Sequence, residues 1–161
     1  MIPDFKTYLN ESVWGDLRKK SLGQEERIED IIKIDDLDGP GLCKYINDRY
    51  ECPLWEIRDN SNLNIISVPI LSNGPNSGFS VAYDYIHKEV SMNFEIIENF
   101  SYLVDKLRRE YFTKTERVSD VFVMFIIAPA DRSKPTNSFF LDVIEFLMKN
   151  IKKENLILFR K

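Results

Sequence analysis

The side chains most often used in catalysis and metal binding are scarce in this chain. His87 is the only histidine, and Cys43 and Cys52 are the only cysteines. A zinc site built on two histidines of one chain is therefore excluded, and a catalytic Cys–His pair would require His87 to meet a cysteine in the folded chain. We expect instead that His87 is a surface residue in a hairpin turn and that both cysteines are structural. The sequence indicates no catalytic residue, and we expect that the protein is not an enzyme.

The acidic segment Asp35-Asp36-Leu37-Asp38-Gly39 has the composition of a calcium-binding loop. If Gly39 held the sharp turn of an EF-hand, Ile34 would hold the first ligand position and Tyr45 the closing position. Those positions require carboxylates, so the EF-hand is excluded. We expect a solvated acidic segment, no metal site and no cofactor.

The loop 129–136 is the best candidate in the sequence for a small-ligand site. It carries Asp131, Arg132, Ser133 and Lys134 between a predicted strand and the start of a predicted helix. Proteins of the α/β class often place ligand sites at such positions, where the helix N-terminus favours anions. Residues of these types also make ordinary polar surface connections.

Residues 4–20 have the pattern of an amphipathic helix. Apolar side chains recur every four residues, and two aromatic side chains flank this stripe. Such a helix can dock in a groove of another protein, or it can cover the open face of the domain's own sheet. Its polar face carries three acidic side chains, which disfavour an anionic membrane surface. For docking, the predicted partner-binding residues are Phe5, Tyr8, Leu9, Val13, Trp14 and Leu17.

The rest of the chain divides into a charged connector and one domain. Residues 21–38 are rich in charge and poor in apolar side chains, so we expect a solvated connector that ends at Asp38-Gly39-Pro40-Gly41. This predicts a leader and connector over 1–38 and a single domain over 39–161. The predicted elements of the domain are a helix over Leu42–Tyr50, strands over Leu54–Arg58, Leu63–Leu71, Phe79–Ile86 and Val90–Ile96, a helix over Asn99–Phe112, a strand over Val118–Ala128, a helix capped by Asn137 or Ser138, and a strand over Leu156–Phe159.

The strand Val118–Ala128 is the centre of the predicted fold. From Val121 to Ala128 it has no polar side chain and is rich in β-branched and aromatic residues, as is typical of a strand covered on both faces. It is far shorter than the ~20 apolar residues that a membrane-spanning helix needs. We predict an α+β fold, in which a mixed β-sheet (an antiparallel meander plus two C-terminal strands) is packed with helices.

Charge and composition limit the class of function. The 161 residues include 26 acidic and 22 basic side chains, which give a formal net charge of −4. This balance argues against a dedicated nucleic-acid binder, whose surface would carry a basic patch. The N-terminal residues lack the apolar core of a signal peptide, and two cysteines fit a reducing compartment, so we expect a cytoplasmic protein.

The segment Phe5-Lys6-Thr7-Tyr8-Leu9-Asn10-Glu11 resembles the short N-terminal capsid-targeting peptides of internal head proteins in large tailed phages. Those peptides place two aromatic residues three apart, then an aliphatic residue, a variable residue and a glutamate, which here are Phe5, Tyr8, Leu9, Asn10 and Glu11. The run from Glu11 to Lys20 is similar to leaders of uncharacterised proteins of gut Bacteroidota and their phages. The resemblance implies cleavage after Glu11 during head maturation and a capsid or other virion assembly as partner. Residues 39–161 resemble no family of known activity.

These observations favour a non-enzymatic, phage-type virion component or assembly adaptor that docks on a larger assembly through its N-terminal helix. Its location would then be the virion if the chain is phage-encoded. The alternative is a small intracellular protein-binding or regulatory domain, with the leader folded on its own body.

Overall fold

The structure is a computed structural model that describes residues 33–53, 56–72, 78–95, 101–118 and 122–161. The chain divides between Asp36 and Leu37 into two units, and every element described below belongs to the second unit. The predicted helix over 4–20 and most of the predicted connector lie outside the described residues.

Three α-helices and eight β-strands follow one another in the described part of the second unit. In chain order they are α1 (Gly39–Arg49), β1 (Tyr50–Glu51), β2 (Asp59–Asn60), β3 (Ile65–Ser72), β4 (Gly78–Asp84), β5 (Glu89–Glu95), α2 (Ser101–Glu110), β6 (Phe112–Val118), β7 (Phe122–Ala128), α3 (Asn137–Asn150), a short 3-10 helix (Lys153–Asn155) and β8 (Phe159–Arg160).

Six of these strands form one sheet in the order β2-β3-β4-β5-β7-β6. Strands β3, β4 and β5 are the predicted meander, and their central register pairs Val68 with Val81 and Val81 with Met92. Alternation is clear in β4, where Phe79, Val81 and Tyr83 are buried and the residues between them are half-buried. With helices packed against this sheet, the predicted α+β class is confirmed.

The sheet differs from the predicted mixed sheet because every described strand pair is antiparallel. The helix predicted over Asn99–Phe112 ends at Glu110, and Phe112–Val118 forms the edge strand β6, which was not predicted. Only residues 119–121 separate β6 from β7. A connection this short joins antiparallel strands, whereas parallel strands need a long crossover.

Strand β7 is the apolar strand that we predicted, but it is shorter and lies next to the sheet edge. It begins at Phe122 and pairs with β5 on one side and with β6 on the other. Phe125 and Ile127 are buried, whereas Met124 and Ile126 are half-buried. The predicted covering of both faces is therefore complete at Phe125 and Ile127 and partial at Met124 and Ile126 on the opposite face.

Helix α3 packs on the buried face of the sheet. The Phe140 ring stacks on the Tyr83 ring of β4, with centroids 5.1 Å apart and an angle of 25° between the planes. Ile144 and Leu147, one and two turns further along, are fully buried. Helix α2 is held beside α3 by a hydrogen bond from Lys106 Nζ to Asn150 Oδ1 at 3.1 Å.

Helix α1 begins where the sequence predicted the end of the connector. Asp38 is its N-cap, and its Oδ1 accepts a hydrogen bond from the Gly41 amide at 2.8 Å. Pro40 lies in the first turn of the helix. Proline is tolerated there because the amide hydrogen that it lacks would have no hydrogen-bond partner within the helix. The helix ends at Arg49 rather than at the predicted Tyr50, which is already extended and belongs to β1.

The cap of α3 also differs from the prediction. Thr136 is the N-cap, and its hydroxyl accepts a hydrogen bond from the Phe139 amide at 3.1 Å. Asn137 and Ser138, the predicted caps, lie within the first turn. The side chain of Asn137 is buried instead, and its Nδ2 donates to the Leu37 carbonyl at 3.0 Å.

The two remaining strand predictions were displaced. Residues 56–58 of the predicted strand Leu54–Arg58 are not in a strand, and the strand β2 follows them. The C-terminal strand is Phe159–Arg160 rather than Leu156–Phe159, and it pairs with β1 in a separate two-stranded sheet. Leu156 makes an isolated bridge to Leu71.

Candidate functional site

The residues predicted to bind a partner through the leader, Phe5, Tyr8, Leu9, Val13, Trp14 and Leu17, all lie outside the described residues. Their role stays a prediction from the sequence.

The predicted ligand loop is an exposed turn between β7 and α3. The Asp131 carboxylate accepts a hydrogen bond from the Ser133 amide at 2.9 Å, and bonds from the Ser133 hydroxyl and amide lower the pKa of Asp131. Arg132 has a positive φ of 63°, and its guanidinium lies 4.4 Å from the centre of the Phe112 ring. Lys134 is exposed. The loop thus uses its carboxylate and its guanidinium for local contacts, and ligand binding there stays a prediction.

The three side chains that could supply thiol or imidazole chemistry have different environments. Cys43 is buried on α1, and burial, followed by the nearby Asp59 carboxylate, raises the pKa of its thiol to about 11. Cys52 is half-buried. His87 is exposed in the turn between β4 and β5, and its Nδ1 lies 2.8 Å from Asp84 Oδ2. The surface position predicted for His87 is confirmed.

A groove of about 720 Å³ lies along the outer side of α3. Residues from α3 lie along one wall, the end of α2 with Tyr111 forms another, and β8 contributes Arg160. On α3, Phe139, Asp142, Phe146 and Lys149 follow one another at intervals of three or four residues, so helical geometry places them on one face. The lining residues are Glu110, Tyr111, Phe139, Asp142, Glu145, Phe146, Met148, Lys149 and Arg160, which we call the α3 groove.

The floor of the α3 groove is aromatic. The Tyr111 ring meets Phe139 edge to face at 5.3 Å and 85°, and it meets Phe146 at 5.3 Å and 70°. Such pairs are favoured by about 0.5–1.5 kcal/mol beyond the burial of their area, so the three rings hold one another in place. The Tyr111 amide also donates to the Leu107 carbonyl at 2.8 Å. Phe139 is buried, whereas Tyr111 and Phe146 remain half-buried and accessible from the groove.

The lining of the α3 groove carries charges of both signs, because it includes Lys149 and Arg160 as well as three carboxylates. Glu145 forms an ion pair with Arg160 and accepts a hydrogen bond from the Tyr50 hydroxyl. The exposed side chains of Glu110 and Asp142 also line the groove. Burial raises the pKa of the Tyr111 hydroxyl, and Asp142 and Glu110 raise it further.

The sequence contained one signal for the α3 groove that the prediction did not use. A helix that covers a core with one stripe has a single apolar face, and the fully buried Phe140, Ile144 and Leu147 form this stripe on α3. Phe139 and Phe146 lie beside this stripe and widen the apolar surface. The sequence places their partner Tyr111 in a different predicted helix. Only the tertiary fold brings its ring into contact with α3.

Among the described residues, no group of three or more histidine, cysteine, aspartate or glutamate side chains is arranged to hold a metal ion. No helix within the same ranges is long and apolar enough to cross a membrane. The chain matches no known protein family, and comparisons with curated proteins and with solved structures find no significant similarity.

Proposed function

We propose that this chain is a non-enzymatic protein-binding adaptor whose body contributes the α3 groove. The observation that carries the proposal is the aromatic floor of that groove. Tyr111 and Phe146 keep part of their rings accessible, and interfaces between proteins are enriched in such aromatic side chains at their centres. The floor is pre-formed, because the rings already pack against Phe139, so a partner need not order them on binding.

We propose further that the adaptor belongs to a phage-type virion or a comparable assembly and docks on it through the N-terminal segment. The support for this part is the resemblance of Phe5–Glu11 to capsid-targeting peptides and the apolar stripe of residues 4–20. The segment and the groove would each give the chain a binding surface, as an adaptor requires.

The two parts of the proposal have separate tests. For the N-terminal segment, the doubly substituted chain Phe5→Ala, Trp14→Ala should no longer be incorporated into particles, and unchanged incorporation would contradict docking. For the groove, Met148→Glu introduces a charge beside the aromatic floor and should abolish co-purification of the partner that the unaltered chain retains. The exposed Lys152→Glu, just beyond the helix, is the control for added negative charge.

Hydrogen exchange separates the adaptor from the regulatory alternative. Amides that fold only on binding a partner exchange rapidly in the isolated chain, whereas amides of a folded element are protected. We expect protection of amides 4–20 to appear when the assembly is bound. Protection of these amides in the isolated monomer would favour the alternative, a regulatory domain whose leader folds on its own body.

A further inference from the structure

We propose that the face of the six-stranded sheet opposite α3 binds the same face of a second copy of this chain. This inference goes beyond the proposed adaptor function, because it makes the adaptor a two-fold symmetric dimer. It rests on the position of the described helices, on the side chains of that face and on its area.

The described contacts of α2 and α3 with the sheet lie on one face. Phe140 of α3 stacks on Tyr83, and the Arg108 guanidinium of α2 lies 5.9 Å from the centre of the Phe125 ring. Tyr83 and Phe125 are buried, whereas the residues next to them in β4 and β7 are half-buried. Because successive side chains of a strand point to opposite faces, these half-buried residues belong to the other face, which we call the second face.

The side chains of the second face are small or uncharged. Cross-strand pairing places two neighbouring rows across β3, β4, β5 and β7. The members of one row are Ser67, Ala82, Ser91 and Ile126. The members of the next row are Pro69, Ser80, Asn93 and Met124. All of them are half-buried and none is charged, although 30% of the residues of the chain are charged. Depletion of charge is typical of the centre of a protein interface.

Charged residues lie at the margin of the second face. Lys114 of β6 pairs with Ile126 and is exposed at the edge of the sheet. Asp84 pairs with Glu89 at one end of β4 and β5. A two-fold interface joins the same patch of both copies, so the patch must be complementary to itself. An uncharged centre meets this condition because it brings no like charges together, and a charged rim stays in contact with water.

The area of the second face is sufficient for a weak dimer. Strands β3, β4, β5, β7 and β6 lie side by side, and all but one of them have seven residues. At the usual strand spacing and rise, the face measures roughly 20 Å by 24 Å, and two copies would bury about 1,000 Å² in projection. Specific interfaces begin near this size, so we expect a dissociation constant of about 10–100 µM.

The first test uses the full, unsubstituted chain with ¹³C-labelled methionine methyl groups. Met124 lies on the second face, Met148 lines the α3 groove, and Met92 is fully buried. The chain is diluted from roughly tenfold above to tenfold below the expected dissociation constant. We expect the Met124 resonance to shift with concentration and the Met148 resonance to stay constant, while sedimentation equilibrium reports a dimer at the upper limit.

A matched pair of substitutions tests the location of the interface. Ser91 lies on β5, the third of the five strands, so Ser91→Lys places a charge at the centre of the face in both copies. This variant should weaken the dimer at least about tenfold, because like charges would meet across the interface. Ser133→Lys adds the same charge in the exposed loop before α3 and should leave the dissociation constant unchanged.

The outcomes separate this inference from the proposed function. A chain that stays monomeric at the highest concentration would overturn the inference and leave the adaptor proposal intact. A shift confined to Met148 would locate self-association in the α3 groove, and it would overturn the inference as well. If the chain is monomeric and Ser91→Lys abolishes co-purification of another protein, the second face binds that protein rather than a second copy. The adaptor proposal fails separately if Met148→Glu leaves co-purification of its partner unchanged.

Discussion

Replacing Gly39 by alanine should destabilise the domain, even though alanine is the better helix former. A Cβ atom at Gly39 would lie 2.6 Å from Asp59 Oδ2 and 2.6 Å from Tyr85 Cζ, much closer than atoms in contact. The Tyr85 hydroxyl donates to Oδ1 and Oδ2 of Asp59 at 3.0 Å each. These two side chains must separate to admit a methyl group, so the substitution should break their hydrogen bond.

The magnitude follows from one stabilising and two destabilising effects. In the interior of a helix, alanine is favoured over glycine by at most about 1 kcal/mol. Loss of a hydrogen bond to a charged group costs about 1.5–3 kcal/mol, and we take the lower end because Asp59 and Tyr85 are half-buried. Overpacking adds about 1–3 kcal/mol. We therefore expect Gly39→Ala to lower the free energy of unfolding by about 1.5–3.5 kcal/mol.

Urea denaturation followed by far-ultraviolet circular dichroism measures this change. At a slope of about 2 kcal/mol per molar urea, the midpoint should fall by about 1–2 M. Tyr85→Phe removes the same hydrogen bond and keeps the ring, so its effect and that of Gly39→Ala should be less than additive, by about 1 kcal/mol. An alanine variant as stable as the unaltered chain would refute the close packing at Gly39, and fully additive effects would refute the role of the hydrogen bond.

Three further predictions concern single side chains. Because burial raises the pKa of Cys43 to about 11, the unfolded chain loses this proton first, and stability should fall as pH rises from about 9 through 11; Cys43→Ala should flatten this part of the pH profile. The Asn47 side chain donates a hydrogen bond to the Ile57 carbonyl and accepts one from the Ile57 amide. Asn47→Asp replaces the donor with a second acceptor and should therefore lower the melting temperature. An unchanged melting temperature of this variant would contradict the double contact. Thr136→Ala should cost about 1 kcal/mol in urea denaturation through loss of the cap to Phe139, and Thr136→Ser should not.

The central hairpins could be predicted from the sequence because their signals are local. Strand β4 alternates buried and half-buried residues, and a four-residue turn separates it from β5. The turn at 85–88 contains His87, as expected, and Lys88 takes a positive φ of 58° there. These features depend on residues close in the chain, so the pattern alone was sufficient.

Strand β6 could not be predicted because an edge strand need not be apolar. Its sequence from Phe112 to Val118 contains two threonines, a lysine, a glutamate and an arginine, and charged residues at an edge protect a sheet against pairing with other chains. Its identity as a strand comes from pairing with β7, which the sequence of β6 does not specify. The two-residue strands β1 and β8 depend even more on the tertiary fold, because Tyr50 pairs with Arg160, which is far away along the chain.

The α3 groove was missed for the same reason. Its aromatic floor combines Tyr111, from the end of α2, with Phe139 and Phe146 of α3. Glu145 in its lining contacts Arg160 and Tyr50, which lie on strands that only the tertiary structure brings together. A sequence pattern can indicate that α3 is unusually apolar, but it does not show which residues of other elements complete the site.

Photo-crosslinking from inside the α3 groove tests the central claim most directly. The full chain carries p-benzoylphenylalanine at Met148, or at the exposed Lys88 as a control, and is irradiated in cells that naturally produce it. Mass spectrometry then identifies the crosslinked peptides. The account predicts that the groove position crosslinks to one protein segment and that the control position does not crosslink to it. Crosslinks no different from those at the control position would contradict the claim that the groove is a binding site.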